Sequence, residues 1–359
     1  MKMIKWPSIE QYRNVVRNVS QRARYKGTDD AGEAIFDPFI KLPTLKFEGT
    51  VKLHGTNASV AMSKDGVMWC QSRENIITPE KDNAGFAMFV KSQEDAFNDF
   101  LVTAASIAKA TDEDVVVWGE WCGGSIQKGI SISQLPKMFV IFGIALVDID
   151  GEKTYLTKQQ VIDTCDGGRE YVKRVDGTCP TSSGIYCIYD FPTYSVEIDF
   201  EQPHEYQNGL NEITERVEKE CPVGKAFGVS GIGEGVVWRC VEEGWEDSGY
   251  WFKVKGEAHS KSKVKTLATV DVERINDINE LAAKLAHDGR LAQGIQAVFD
   301  TLNGGEPDIK RTGEFIKWVM SDIFKEEIDT IAASGYTGKE LNGQVSKLAR
   351  DYLMKQLEV

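Results

Sequence analysis

The sequence predicts two domains, an α+β domain followed by a smaller all-α domain. Three observations carry this expectation. The chain has 359 residues, more than the ~250–300 at which a single core stops growing. Apolar runs of strand length recur between Leu45 and Val254. After about Lys265 no strand pattern returns, and apolar residues fall at helical spacing instead. The boundary is expected near Lys261–Thr269, giving domains 1–262 and 263–359.

Taken in order, Ile9 to Val19 has helical periodicity behind Ser8, an N-cap residue type. Arg22 to Leu42 reads as loop. Leu45–Leu53, Asn57–Ser63 and Val67–Ser72 are strand-like, with a tight-turn signal at Lys64-Asp65-Gly66 between the last two. Ala84 to Ala110 is helical in pattern. Val115–Trp118 and Met138–Val147 are continuous apolar runs, as expected of a covered sheet. Asp150 to Thr193 is rich in Gly, Asp, Thr and Ser and reads as an elaborated loop. Ser195–Phe200 is strand-like and Leu210–Cys221 helical, and Val236–Arg239 and Tyr250–Val254 read as strands. Val270–Val359 reads as four or five amphipathic helices broken at Asp288-Gly289, Gly304-Gly305, Thr312-Gly313 and Ser334-Gly335.

The bulk numbers exclude several classes. No apolar run approaches the ~20 residues that span a bilayer, and no signal-peptide pattern is apparent at the start. Seven scattered cysteines with no C-x-x-C, and only four histidines, make zinc ligation a poor reading. Reduced thiols in a cytosolic setting follow. Cys70 is read as a small core residue. A net charge of −13 argues against binding nucleic acid through a global positive field. A local basic cleft remains open, and Lys253, Lys255, Lys261, Lys263 and Lys265 could form one.

The chemistry is concentrated in Val51-Lys52-Leu53-His54-Gly55-Thr56-Asn57. The K-x-x-G pattern occurs at Lys46, Lys52, Lys225, Lys253 and Lys310, so alone it means little. Only the one at Lys52 continues into His-Gly-Thr-Asn. It alone is then followed in order by Arg73 after a strand, Glu120 closing an apolar strand, Glu234 before Gly-Val-Val, and the alternating Lys253 and Lys255. A lysine amine attacks phosphorus only when neutral, against a free pKa of about 10.4. Neighbouring cations and burial favour the neutral amine, and Lys253, Lys255 and Arg73 are the candidate cations. Lys253 and Lys255 share one face of a strand, an arrangement that an anion such as a nucleotide phosphate would relieve. Gly55 suits a sharp strand-to-strand turn. A carboxylate ending a buried strand, as Glu120 does, is costly unless paired.

Each residue also has a plain structural reading. Lys52 alone could be a surface hairpin lysine, His54 and Asn57 turn caps, Arg73 a solvated residue and Glu234 a strand-edge residue. Phe142 could be core. Gly231-Ile232-Gly233 resembles part of a dinucleotide loop but leads into a strand, so that mechanism does not apply. Cys122 has no histidine placed by sequence to activate it as a nucleophile.

The ordered series from Leu45 to Lys255 resembles the bacteriophage RNA ligase 2 family of covalent lysine nucleotidyltransferases. The resemblance implies a nucleotidyltransferase domain built of antiparallel sheets with flanking helices. It implies ATP as cofactor, with AMP carried covalently on Lys52, and Mg2+ or Mn2+ held by Glu234. His54 would assist adenylylation, and Asn57 would organise phosphates or metal-bound water. Arg73 and Glu120 would hold the ribose and the reacting ends. Phe142 would stack on adenine, and Lys253 and Lys255 would grip the α-phosphate. Val51 stands where the best-known members carry an acidic residue, so adenine would be read there by backbone or elsewhere. The implied partner is RNA with 3′-OH and 5′-phosphate ends, in a nicked duplex, bound by a monomer away from any membrane. DNA ligases and capping guanylyltransferases, the nearest alternatives, usually append a β-rich OB-fold where this chain turns helical. A non-catalytic RNA-binding protein on a ligase scaffold is the third reading.

Overall fold

The computed structural model describes residues 1–29, 32–124, 126–173, 183–256, 278–301, 305–334 and 337–357. It divides into one compact unit of Met1–Pro79 with Ala84–His259 and a second of Glu80–Asn83 with Ser260–Val359. The first unit begins with β1 (Glu10–Gln11), α1 (Tyr12–Arg24), β2 (Tyr25–Thr28), β3 (Ala34–Phe36), β4 (Thr44–Lys52), β5 (Thr56–Met62), β6 (Met68–Ser72) and β7 (Ile76–Ile77). Then come α2 (Phe86–Lys91), α3 (Glu94–Ala108), β8 (Asp114–Cys122), β9 (Met138–Val147), β10 (Lys153–Tyr155), α4 (Lys158–Gly167), β11 (Ile185–Cys187) and β12 (Thr193–Asp199). It closes with α5 (Gln207–Lys219), α6 (Pro222–Ala226), β13 (Gly235–Cys240) and β14 (Phe252–Lys255).

Two sheets form the frame. One runs β1-β14-β13-β4-β12; the other runs β10-β9-β8-β5-β6-β7, with β11 also paired to β9. The ladders are antiparallel except β1–β14 and β11–β9. In β4 the alternation is plain: Leu45, Phe47 and Val51 are buried in one face, while Lys46, Glu48 and Lys52 occupy the other. The apolar face packs on α1 through Tyr12, Val15 and Val19 and on α5 through Leu210 and Val217. The side chains of Lys52, Glu48, Arg239, Lys253 and Lys255 therefore share the opposite face, because Gly235 pairs with both Lys52 and Lys255, Val237 with both Thr50 and Lys253, and Arg239 with Glu48.

Several expectations are corrected. The first helix starts at Tyr12, with Gln11 at its N-cap, and not behind Ser8. Glu10 and Gln11 are drawn into pairing with Phe252 and Lys253, a non-local interaction that local helix signals cannot report. The expected loop at Arg22–Leu42 contains the β2–β3 hairpin. The 150–193 stretch holds β10, α4 and β11, and α4 opens with a capping box in which Thr157 accepts from the Gln160 amide. Glu120 lies inside β8, which continues to Cys122, and Ala84–Ala110 is split into α2 and α3. Cys70 is only partly buried.

The described part of the second unit contains α7 (Ile278–Leu285), α8 (Asp288–Phe299), α9 (Thr312–Ser334) and α10 (Gly338–Leu357). Their apolar stripes build a separate core from Leu281, Leu285, Leu291, Phe299, Phe315, Val319, Ile323, Leu341, Val345 and Leu353. Lys261, Lys263, Lys265 and the boundary at Lys261–Thr269 lie outside the described residues. No described helix is long and apolar enough to cross a membrane.

Candidate active site

Lys52 is the last residue of β4, and its register partner is Gly235. That glycine has φ +151°, and a Cβ there would stand 2.2 Å from the Val254 carbonyl oxygen. Any side chain at 235 would strain the backbone and crowd β14. The residue before it, Glu234, thereby delivers a carboxylate into the space between the two lysines. Lys52 Nζ donates to Glu234 Oε2 at 2.7 Å. His54 Nδ1 is 3.2 Å from the same oxygen, and Lys255 Nζ is 3.5 Å from Oε1. Glu234 is buried, its side chain 2% exposed.

A second carboxylate approaches from the other sheet. Glu120 pairs with Asn57 across β8 and β5, and its Oε1 accepts from the Gly55 amide at 2.8 Å. Gly55 is needed here for close approach: a Cβ would lie 2.3 Å from the Trp121 carbonyl oxygen and 2.7 Å from Cys122 Cβ. The three-residue link Leu53–Gly55 thus passes from one sheet to the other against β8.

The two carboxyls titrate in opposite directions. Burial pushes Glu120 up to about 7, helped by the charge of Glu234 and offset by Lys52, the Gly55 amide and His54. Burial also acts to raise Glu234, but Lys52, Lys255 and His54 outweigh it and hold that carboxyl well below the usual range. Environments that separate the pKa values of neighbouring acids are a mark of assigned chemical roles. Burial and the adjacent Glu120 push the Cys122 thiol far up, which makes it a poor nucleophile at neutral pH.

The structure therefore brings together Lys52, His54, Glu120, Glu234 and Lys255. Lys253 shares the face of Lys255, one alternation away, and Asn57 lies beside Glu120. Val51 is different: its side chain is buried in the core on the far face of β4, opposite Val236. An acid at this position would be buried among apolar groups, and only the backbone of Val51 borders the site face. Arg73 follows β6, half exposed, with Nε 3.8 Å from Glu74 Oε1. Phe142 sits where the β8–β9 register shifts, between the pairs Gly119–Ile141 and Trp118–Gly143. Its ring meets Trp6 edge-on at 5.0 Å, and its carbonyl accepts from Arg239 Nη2 at 2.9 Å.

Sequence reasoning missed Trp6 and Arg239. The Arg239 guanidinium lies 5.0 Å from the Trp6 ring and 4.7 Å from that of Trp251, in cation–π geometry. Alternation from Gly235 through Val237 would have placed Arg239 on the lysine face. Nothing in its neighbourhood marks Trp6, a lone aromatic in the first seven residues.

Among the described residues no group of three or more His, Cys, Asp or Glu is set to hold a metal ion. Mg2+ commonly binds through one or two carboxylates, with phosphate oxygens and water completing its shell. The ionised Glu234 fits that mode as a single protein ligand.

The family description RNA ligase matches residues 45–255, more than half of the chain, and spans every one of these residues except Trp6. This protein belongs to the RNA ligase family. Among solved structures it is similar to Naegleria gruberi RNA ligase with PPi, at 16% identity and TM-score 0.42, covering 72% of this chain and 59% of that one. A mutant of the same ligase with AMP and Mn matches at 16% identity and TM-score 0.42, covering 72% and 58%. The chain thus spans less than two thirds of those structures. No curated protein matches.

Proposed function

We propose that the protein is an ATP-dependent RNA ligase of the RNA ligase 2 type, which joins 3′-OH and 5′-phosphate ends through a lysyl-AMP and an adenylylated RNA. The observation that carries this reading is the Lys52 amine at 2.7 Å from the buried Glu234 carboxylate, with Lys255 on that carboxylate's other oxygen. A lysine held among a second lysine, a histidine and an ionised acid is positioned for attack and surrounded by groups that manage charge.

In the first step Lys52 Nζ, an ammonium in its ion pair with Glu234, gives up a proton, and the neutral amine attacks the α-phosphorus of ATP. The N–P bond forms, the bond to the bridging oxygen breaks, and pyrophosphate leaves. His54, bonded to the oxygen that Lys52 also uses, is placed to pass on the amine's proton. Lys253 and Lys255 stabilise charge on the α-phosphate oxygens, the role in which positioned cations contribute most. Glu234 would hold Mg2+ or Mn2+, which would supply further charge neutralisation. The AMP is next transferred to the RNA 5′-phosphate, and the 3′-OH then attacks that phosphate and expels AMP. Glu120 holds the Lys52–Asn57 link in place and borders the reacting ends, Phe142 offers a ring to adenine, and Arg73 and Asn57 contact the ribose and phosphates.

Incubation with α-labelled ATP tests the nucleophile. Wild type is expected to acquire label and Lys52→Ala to acquire none, whereas Lys46→Ala, whose lysine lies on the same strand, keeps it. Labelling of the Lys52 variant would overturn the assignment. The substrate is tested on nicked duplexes. RNA is distinguished by A-form shape and 2′-hydroxyls, so a nick whose 3′-OH strand ends in ribose should seal well and its deoxy counterpart poorly. Equal rates would favour a DNA-tolerant ligase.

A further inference from the structure

The side chain before Lys52 cannot read a nucleobase, because Val51 is turned into the core. The far end of the lysine face offers another reader. Glu48 lies on that face of β4, two alternations before Lys52. The separation is about 13 Å at ~3.3 Å per strand residue. It is comparable to an adenylate measured from its phosphorus to the edge of its base, with one hydrogen bond added. Between the two, Thr50 pairs with Val237 on the same face, so the floor there carries no charge.

Several groups converge at the Glu48 end. Arg239 is the register partner of Glu48, and its Nη2 donates to the Phe142 carbonyl at 2.9 Å. The ring offered to adenine is therefore anchored at this corner. Lys158, the first residue of α4, places Nζ 2.9 Å from Glu48 Oε2 and 5.7 Å from the Tyr189 ring centre. Burial raises the Tyr189 hydroxyl above its ordinary value, and Arg239, Cys187, Glu48 and Lys158 all act on it electrostatically.

The ion pair does little for the fold. The Lys158 and Glu48 side chains are 34% and 26% exposed, and a pair that open to water stabilises weakly. Arg239 is already committed to the Phe142 carbonyl and to the rings of Trp6 and Trp251. Lys158 holds Glu48 Oε2, and among the described residues no hydrogen bond reaches Oε1. A carboxylate accepts and does not donate. Adenine carries a donating amine at position six, where guanine carries an accepting carbonyl.

We propose that Glu48 is the specificity-determining residue for the nucleotide, its Oε1 accepting from the exocyclic amine of adenine, and that Lys158 is the positioning residue that holds its other oxygen. The proposal rests on the reading of the chain as a ligase that carries AMP on Lys52, and it names what selects AMP.

Rates of lysyl-nucleotide formation by the full chain, read by intact mass, test it. The substrates are ATP and purine riboside triphosphate, which lacks only the six-amino group. Wild type should prefer ATP in kcat/KM by roughly 10- to 100-fold, as for loss of a hydrogen bond to a charged group. Glu48→Ala should bring the ratio close to one, by raising KM for ATP while the analogue reacts as before. Lys158→Met should lower the ratio severalfold, and Lys158→Arg should restore it. Each ratio is taken on one preparation, so a partly inactive variant does not distort it. The lysine variants carry the test if the alanine variant fails to fold. A preference that survives Glu48→Ala overturns the proposal, and so does equal use of the two nucleotides by wild type. A ratio unmoved by Lys158→Met overturns the positioning role. If wild type forms no lysyl-nucleotide with ATP, the underlying reading fails instead.

Discussion

At the scale of single residues the site is organised by one carboxylate. Glu234 Oε2 serves both Lys52 and His54 while Oε1 faces Lys255. Glu120, about one link away through Gly55, is held in the opposite protonation regime. Its folded pKa of about 7 lies above the usual value of 4.5, so the native state binds this proton more tightly than the unfolded chain does. The associated stability is complete below about pH 4.5 and is lost as pH rises through 7. Glu120→Gln should therefore gain on wild type across that window by at most roughly 3 kcal/mol, one pKa unit being worth ~1.4. Urea midpoints of both proteins at pH 5 and pH 8 measure this. A difference that stays constant between the two would show that Glu120 ionises normally. The convergence of Lys52, Glu234 and Lys255 was legible because spacing and order in the chain carried it. Trp6 was not legible, since it acts through contacts with residues more than 100 positions away.

At the scale of elements, the close crossing at Gly55 is the most exacting feature. Gly55→Ala should cost about 1–3 kcal/mol, the usual range for overpacking, since the clash is with backbone of β8 and has little room to relax. Gly209→Ala, in α5 with nothing within 4 Å of a Cβ, is the control and should be stabilising by up to ~1 kcal/mol. Chemical denaturation of the two variants decides it, and a neutral Gly55→Ala would show that β8 yields. The long strands β4, β5, β8 and β9 were readable from alternation and apolar runs. What escaped was short or non-local. β1 exists only because β14 is there to pair with it, and α4 is ten residues whose capping signal, Thr157 to Gln160, stands among turn-forming residues. The bulge at Phe142 was equally hidden, because the apolar run of β9 reads the same with or without a register shift.

At the scale of the whole molecule, charge is unevenly distributed. Residues 260–359 contain 14 basic and 16 acidic residues, so most of the −13 belongs to the first 259. The family match ends at residue 255, and none of the residues gathered around Lys52 lies beyond that point. A chain ending near Thr266 is expected to form the lysyl-AMP at the full-length rate and to seal nicked RNA poorly, because the near-neutral helical unit repels a polyanion least. Parallel measurement of label transfer and sealing checks this; equal sealing by the shortened chain would assign the helical unit no part in holding RNA.

The link Leu53–Gly55 has a mechanical consequence. It joins consecutive strands that belong to different sheets, and the amine stands at one of its ends. Four steps of extended chain from Lys52 to Thr56 reach only about 14 Å, and the Glu120–Gly55 bond shortens the tether further. The sheets are joined elsewhere as well, by Arg239 Nη2 on the Phe142 carbonyl and by a core that Val51 and Val236 share with Met138 and Val140. A tether this short acts as a pin at the seam of two plates, and it fixes how far the Lys52 amine can stray from β8 and Glu120.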